Sequence, residues 1–387
     1  MIYAFFAVVF IFLKKYSYLC TCKTKINNMK KRLLYTITYI TLLCACKQTS
    51  EFYNPDSIIS ERYEIPTDTI YNDNITGLSA RVRFLNCIDN YLIITQINKD
   101  SIFQVMDIKN DSIISNFGCK GHARNEFIDP RTIYCRKDKN GLPLLFVLDG
   151  ICTKIIDIEK SIETNKCILK DIIKEDVDIY FNHTFHVGDN AKFIYKQVSY
   201  EDARDAVYIP PLYYLVTGDT KFEWNIHPNI INPEWSNMVD AAYSNVVWIK
   251  PDGSKAISVP NFIDIVNIFD LSKKKVLGIV NPDSYTYNFI DQEGSESTIK
   301  EHLRYFNTSA CVTDNCFIIL KDGNLYKDIL GETDEDRCSY IYIYDWNGKL
   351  QKSYVLDKNL LHIAYNEKNK QLYAISIAHK LYRYNLK

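Results

Sequence analysis

The stretch HTFH, residues 183–186, sets two imidazoles three positions apart, and imidazole is a common metal ligand. On a strand, positions i and i+3 point to opposite faces, so His183 and His186 cannot easily share one ion, and a structural role is the simpler reading. A second candidate is ILGETDEDRCS (329–339), whose Glu332, Asp334, Glu335 and Asp336 could bind Ca²⁺. It lacks the alternating ligands and the Gly of an EF-hand loop. SYEDARDA (199–206) reads as a solvated charged loop rather than a carboxylate pair. GxSxG, HExxH, the P-loop and GxGxxG are all absent. Cys87, Cys119, Cys135, Cys152, Cys167, Cys311, Cys316 and Cys338 form no CxxC and have no zinc spacing. Several stand in apolar runs such as IYC (133–135) and KCIL (166–169), where Cys acts as a small hydrophobe. They read mainly as free core thiols, with Cys311 and Cys316 the pair to bridge if any does.

The compartment bears on those thiols, and MKKRLLYTITYITLLCACKQTS (29–50) addresses it. Met29 leads Lys30, Lys31 and Arg32, then an apolar run from Leu33 to Leu43, then small residues, the order of a secretory signal peptide. Its end, Leu43-Cys44-Ala45-Cys46, resembles the lipobox of bacterial lipoproteins, in which a small residue precedes the acylated cysteine. The expectation is a lipoprotein signal peptide over 29–45, Cys46 as lipid anchor, and a polar tether over 46–57. Ahead of it, the apolar run from Ile2 to Leu13 is 12 residues, short of the ~20 that span a bilayer. Residues 1–28 are therefore expected to be upstream sequence before a start at Met29. One acyl chain holds a protein only reversibly. The lipoprotein resemblance implies more than one, hence a permanent tether, and the lack of an acidic run after Cys46 favours a periplasm-facing location.

Lys plus Arg (46) nearly balances Asp plus Glu (47) in 387 residues, with no basic stripe, which excludes a typical nucleic-acid binder. With 47% hydrophobic and 24% charged residues, the chain is too apolar for disorder and long enough for a sizeable core.

The elements that must position any site recur as a phrase: VMDIKNDSIISNFG (105–118), IIDIEKSI (155–162), IFDLSKKKVLGIV (268–280) and IYDWNGKLQKSYVL (343–356). Each is an apolar run, an Asp, a few polar residues and another apolar run. An Asp at the first turn position bonds backbone groups ahead of it, so each phrase reads as a hairpin. Asp107, Asp157, Asp270 and Asp345 lie 50, 113 and 75 residues apart, and YYLVTGDTKFEWNI (213–226) fills the longest gap. LYRYNLK (381–387) is the phrase cut short. Two more candidate strands precede each phrase, giving six units of three or four strands over 58–387, the mark of a propeller. The expected fold is all-β: a six-bladed β-propeller of four-stranded antiparallel blades. The last unit lacks a strand and ERYEIPTDTIY (61–71) is spare, so the two ends are expected to share one blade and close the ring.

SNFGCKGHARNEFIDPRTIYC (115–135) resembles the GxKGxGPxEFxxP signature of six-bladed, TolB-like and NHL-like propeller lipoproteins of Bacteroidetes, a family grouped as domains of unknown function. Gly118, Lys120, Gly121, Asn125, Glu126, Phe127 and Pro130 match; Ala123 and Arg124 stand where the family often has Gly and Pro.

A propeller works at the mouth of its axial channel or across its loops. The candidate innermost strands place Arg83, Arg131, His183, Tyr243, Asn307 and His362 near that mouth, a mixed polar ring suited to an anionic or hydroxylated ligand. The same side chains could equally bond one another and water. The 29 Tyr and 19 Phe suit strand packing, while loop aromatics such as Tyr208, Trp235, Tyr285 and Tyr287 could stack on sugars or peptides. The expectation is a monomeric, membrane-tethered, non-catalytic propeller binding an envelope protein, peptide or glycan. It needs no cofactor, Ca²⁺ being the one candidate ion. The alternative is a metal-dependent lactonase- or lyase-type propeller enzyme acting at the channel mouth.

Overall fold

The computed structural model describes residues 53–75, 81–97, 100–175, 182–196, 212–226, 244–285, 302–329 and 334–387. Cys46, the leader and most of the tether lie outside them, as do Tyr208, Trp235, Tyr243, Tyr287 and SYEDARDA.

Six antiparallel sheets follow one another along the chain, each built from the innermost strand outward. Blade 1 comprises Arg81–Ile88, Tyr91–Ile97, Phe103–Asp107 and Ser112–Phe117. Blade 2 comprises Pro130–Lys137, Pro143–Asp149, Cys152–Asp157 and Leu169–Lys174. Blade 3 comprises Asn182–His186, Ala191–Lys196, Tyr213–Thr217 and Thr220–Trp224. Blade 4 comprises Asn245–Ile249, Lys255–Pro260, Ile265–Asp270 and Lys275–Val280. Blade 5 comprises Arg304–Val312, Cys316–Leu325, Ser339–Asp345 and Leu350–Leu356. Blade 6 contributes Leu360–Asn366, Gln371–Ser376 and Leu381–Asn385.

Burial explains why the central strands do not alternate. PLLFVLD is buried at every position because neighbouring blades cover both faces. The core is accordingly spread along the seams: Phe103 and Ile133 pack between blades 1 and 2, Phe193 and Phe269 between 3 and 4, Phe317 and Ile257 between 4 and 5.

The turn aspartates behave as their chemistry dictates. Asp107, Asp270 and Asp345 each accept the N–H of Lys109, Lys273 and Asn347 respectively at 2.9 Å, fixing the hairpin. Asp157 does not make a hairpin. It caps helix α1, Ile158–Thr164, by accepting Lys160 N–H at 3.0 Å, and Asn165 closes the helix in the left-handed conformation at φ 52°. IEKSIET favours a helix once an Asp caps it, so the outer strand waits until Leu169.

The ring closes within one blade, but not through residues 61–71. Asp73–Ile75 forms the outer strand of blade 6, with Leu381 opposite Ile75 and Arg383 opposite Asp73. The residues before it form a strap. Ser57–Ser60 adds a parallel fifth strand to blade 4, and Thr69–Ile70 adds one to blade 5. Tyr53, assigned to the tether by sequence, is 1% exposed and donates its hydroxyl to Asn267 Oδ1 at 2.5 Å. Gly278 leaves it room, since a Cβ there would collide with the Tyr53 hydroxyl.

Each seam also carries a polar link between blades. Lys137 pairs with Asp89 at 2.6 Å between blades 1 and 2, and His186 Nε2 meets Glu175 Oε1 at 2.7 Å between 2 and 3. The Tyr213 hydroxyl meets Ser258 Oγ at 2.6 Å between 3 and 4. Lys321 Nζ pairs with Asp264 at 2.5 Å between 4 and 5, under the Tyr63 ring of the strap. Tyr382 donates to Glu335 at 2.5 Å between 5 and 6, and Asn366 donates to the Asp89 carbonyl at 2.7 Å between 6 and 1.

Tyr53→Phe removes the strap's hydrogen bond to the buried Asn267 carbonyl oxygen. It should lower unfolding free energy by about 1–3 kcal/mol, seen as a lower urea midpoint at constant m. An unshifted midpoint would mean the strap is not fastened there.

Candidate functional site

The innermost strands surround an axial channel, and the channel is divided. Toward the strands' N-terminal ends lies a narrow chamber of about 160 Å³, walled by all six innermost strands. Toward their C-terminal ends and the following turns lies a wide bowl of about 680 Å³, lined from blades 1, 2, 4, 5 and 6. Leu85 and Trp248 border both.

Of the six residues singled out by sequence, Arg131, His183 and His362 line the narrow chamber together. Arg83 sits at its rim, donating to the Pro130 carbonyl at 2.9 Å and lying 3.7 Å from Asp129. Arg131 Nε meets the same Asp129 at 2.7 Å. Asn307 is not a channel residue. It is 0% exposed and donates to the Pro260 carbonyl at 2.6 Å, because an irregular register in its strand turns it into the seam between blades 4 and 5. Its neighbours Thr308 and Ser309 face the chamber instead. Tyr243 lies outside the described residues.

The two histidines of HTFH separate as strand geometry requires. His183 faces the chamber and stacks on Tyr195 at 5.7 Å, whereas His186 is buried against Glu175. Burial, then the charges of Arg131 and Arg83, lower His183 to about 4. Burial, then His379, lowers His362 to about 4. Burial raises the Glu175 carboxyl, but bonds from His186, Lys192 and Thr153 outweigh it and hold the group at about 2.

Sequence reasoning did not single out Asn245, Trp248 or Tyr365. Asn245 Oδ1 accepts from Ser258 Oγ at 2.9 Å, and Ser258 in turn meets Tyr213, so a buried relay orients this chamber residue. The missing signal was register. NVVWI is almost uniformly apolar, and nothing in it announces which residues face the axis.

The signature stretch builds a loop between blades 1 and 2 rather than a site. Gly121 has a φ of +156° and sits so close to Glu126 that a Cβ would overlap the carboxylate, which accepts the Ala123 N–H at 2.9 Å. Gly118, at φ +73°, lies on the Phe103 ring, and Phe127 meets that ring edge-on at 5.3 Å. Lys120 bridges to Phe127, and Pro130 begins the innermost strand of blade 2. Lys154 fastens the loop from below, donating to the Glu126 carbonyl and pairing with Asp149 at 2.8 Å. These residues hold two blades at a fixed spacing.

In the acidic loop, Glu335 is bound by Ser376, Lys380 and Tyr382, and Asp336 by Lys358, so their carboxylates point toward different cationic partners. No group of three or more His, Cys, Asp or Glu is placed to hold a metal ion among the described residues. All eight body cysteines are free thiols, Cys311 and Cys316 included. Cys87, Cys135 and Cys311 line the wide bowl, and burial pushes the Cys87 thiol up to about 12.

A family model described as TolB-like 6-blade propeller-like matches residues 84–368. Two solved structures share the fold, each at 10% identity and a TM-score of 0.50. One is a member of the DUF4221 family from Bacteroides vulgatus, covering 85% of this chain and 97% of its own. The other is a candidate exported protein of Bacteroides fragilis, covering 84% and 98%. No curated protein matches.

Both chamber histidines are held neutral by the fold, while the unfolded chain protonates near 6.5. Their stabilising effect is therefore complete above pH 6.5 and is lost as pH falls toward 4. Stability should decline between pH 7 and 5, before Glu175 begins to titrate, and a His183→Gln/His362→Gln variant should flatten that decline. Equal slopes in denaturant titrations of both proteins would contradict this.

Proposed function

Because the chain belongs to the TolB-like six-blade propeller family, whose fold leaves activity to be set by local sites, we propose that it is a membrane-tethered, non-catalytic binding protein of the bacterial envelope. It takes a peptide or glycan segment in the wide axial bowl. The observation that carries this reading is the bowl itself, about 680 Å³ of space edged by five blades. Trp248 and Tyr365 offer aromatic surface there, beside Asn366, Asp314 and Lys368 as hydrogen-bonding and charged groups. Pockets that hold organic ligands combine those features at this size. The narrow chamber is too small for a sugar chain or a peptide.

The tether rests on Cys46 and its lipobox-like setting, supported by the description of the Bacteroides fragilis neighbour as a candidate exported protein. No helix among the described residues is long and apolar enough to cross a membrane. Tyr53 is packed on blade 4, so a linker of six residues, 47–52, separates it from Cys46, a span of at most about 20 Å. Such a linker keeps the ring near the lipid surface and within reach of envelope polymers.

Two outcomes test the reading. Cys46→Ser should shift the chain from the membrane to the soluble fraction and abolish labelling by a fatty-acid analogue; retention on the membrane would remove the anchor. Panels of envelope oligosaccharides and peptides, titrated by calorimetry, should yield a binder whose affinity falls at least tenfold in Trp248→Ala and Tyr365→Ala. If EDTA instead lowers the melting temperature by several degrees and one divalent ion restores it, a metal-dependent enzyme replaces this reading.

A further inference from the structure

At the bowl end of the ring, the turn that follows the innermost strand lies among the described residues in every blade. The charges gathered there are unevenly answered. Lys137 pairs with Asp89 at 2.6 Å, and Lys250 pairs with Asp252 at 2.5 Å. Arg136 is committed to the His186 carbonyl at 2.9 Å and lies over the Phe146 ring at 5.3 Å. Asp314 and Glu367 differ, for they border the bowl with no ion pair or hydrogen bond to either side chain among the described residues. They stand in the innermost hairpins of blades 5 and 6, which are neighbours, and Tyr365 packs against the seam between those blades. Lys368, next to Glu367 in the chain, offsets one of them, and Glu159 of α1 adds a third carboxylate, so the bowl is acidic in balance.

Acidic side chains alone would mark only a solvated rim, but the wall supplies a second observation. Asn86, on the innermost strand of blade 1, is 4% exposed and borders the bowl, and its side-chain Nδ2 has no hydrogen-bond partner. A buried N–H left unpaired is costly, and a ligand acceptor that reaches it removes that cost. Blade 1 adjoins blade 6 through the bond from Asn366 to the Asp89 carbonyl, so the donor and the two carboxylates share one arc of the bowl. The phenols of the bowl register the sign of its field. Burial, then Cys316 and Glu367, push Tyr365 up to about 12, and burial, then Glu159, Asp107 and Asp89, raise Tyr91.

We propose that the occupant of the bowl is a basic peptide segment, which sets a lysine or arginine side chain against Asp314 and Glu367 and offers a backbone carbonyl to Asn86. This rests on the bowl being the binding site, as argued above, and adds what that site selects. A cationic side chain also suits Trp248 and Tyr365, since aromatic faces attract organic cations. An acidic peptide would meet like charge, and a neutral glycan would leave both carboxylates unused. A bare divalent ion needs more ligands than two carboxylates, and no third is placed with them among the described residues.

The test uses the purified full-length chain, titrated by calorimetry with an end-capped Lys–Ala octapeptide, its Glu–Ala counterpart, a glucosamine oligomer and the N-acetylated form of that oligomer. The Lys–Ala peptide should bind at least tenfold more tightly than the Glu–Ala peptide at low salt, and its affinity should fall as NaCl is raised. Asp314→Asn/Glu367→Gln should weaken that binding at least tenfold and flatten the salt dependence. Neither side chain bonds another group, so this variant should keep the melting temperature of the wild type. Asn86→Leu, which keeps the bulk and loses the donor, should weaken binding about fivefold. Glu223→Gln, on the outer strand of blade 3, should leave it unchanged. The proposal is overturned if the Glu–Ala peptide binds as well, if the charge variant binds as the wild type does, or if either oligomer outcompetes the Lys–Ala peptide. Trp248→Ala separates the two readings. When it weakens a ligand that the charge variant does not, the bowl binds without selecting basic peptides; when no probe binds, both readings fall.

Discussion

The channel exists because three residues from the start of the body, Asp73–Ile75, pair with Leu381–Asn385 at its end. Six sheets standing side by side leave two open edges unless something joins first to last, and open edges invite pairing with other chains. Here the join spans nearly the whole body, so its loop-closure cost falls on one short strand pair. Three hydrogen-bonded positions are a small return for that cost. The strap compensates by fastening the same segment repeatedly, at Tyr53 and Ser57–Ser60 on blade 4, at Tyr63 over the Lys321–Asp264 pair, and at Thr69–Ile70 on blade 5. Arg383 adds a bond to Asp111 of blade 1 at 2.6 Å, so the closing blade is locked on both flanks.

The seams show why the blades assemble in order. All six are alike in shape, and apolar faces distinguish poorly between neighbours. A buried charge is different, because it is costly anywhere except against its own partner. Lys321 and Asp264 have side chains 9% and 6% exposed, and Glu175 is 1% exposed with His186 and Lys192 on its two oxygens. Removing such a pair for packed hydrophobes need not lower stability. What it would remove is the penalty against a wrong neighbour. The polar links are therefore best understood as setting which blade meets which, while aromatic packing supplies most of the cohesion.

How much of this the sequence disclosed follows the range of the interactions. The Asp at each turn is a local device, and Asp107, Asp270 and Asp345 could be recognised from their own neighbours. Asp157 carried the same pattern and made a helix cap, since the residues beyond it, not the Asp, decide between hairpin and helix. The closing strand lay two residues past the expected segment, because 61–71 was already bound to blades 4 and 5 by contacts more than 200 residues distant. At the channel, Arg131, His183 and His362 were legible as polar residues on innermost strands. Asn307 was not, for an irregular register moved it by one face, and register is set by the partner strand rather than by the residue. Trp248 was hidden in NVVWI, a run that is apolar at every position after Asn245.

Leu85 and Trp248 border both concavities of the channel, so the two share a wall. Their chemistry differs: Arg131, His183 and His362 line the narrow one, while the broad one is aromatic and of mixed charge. Leu85 belongs to the core between blades 6 and 1, so a ligand that displaced it would disturb packing with little freedom to yield. Any coupling between the two concavities would be reciprocal.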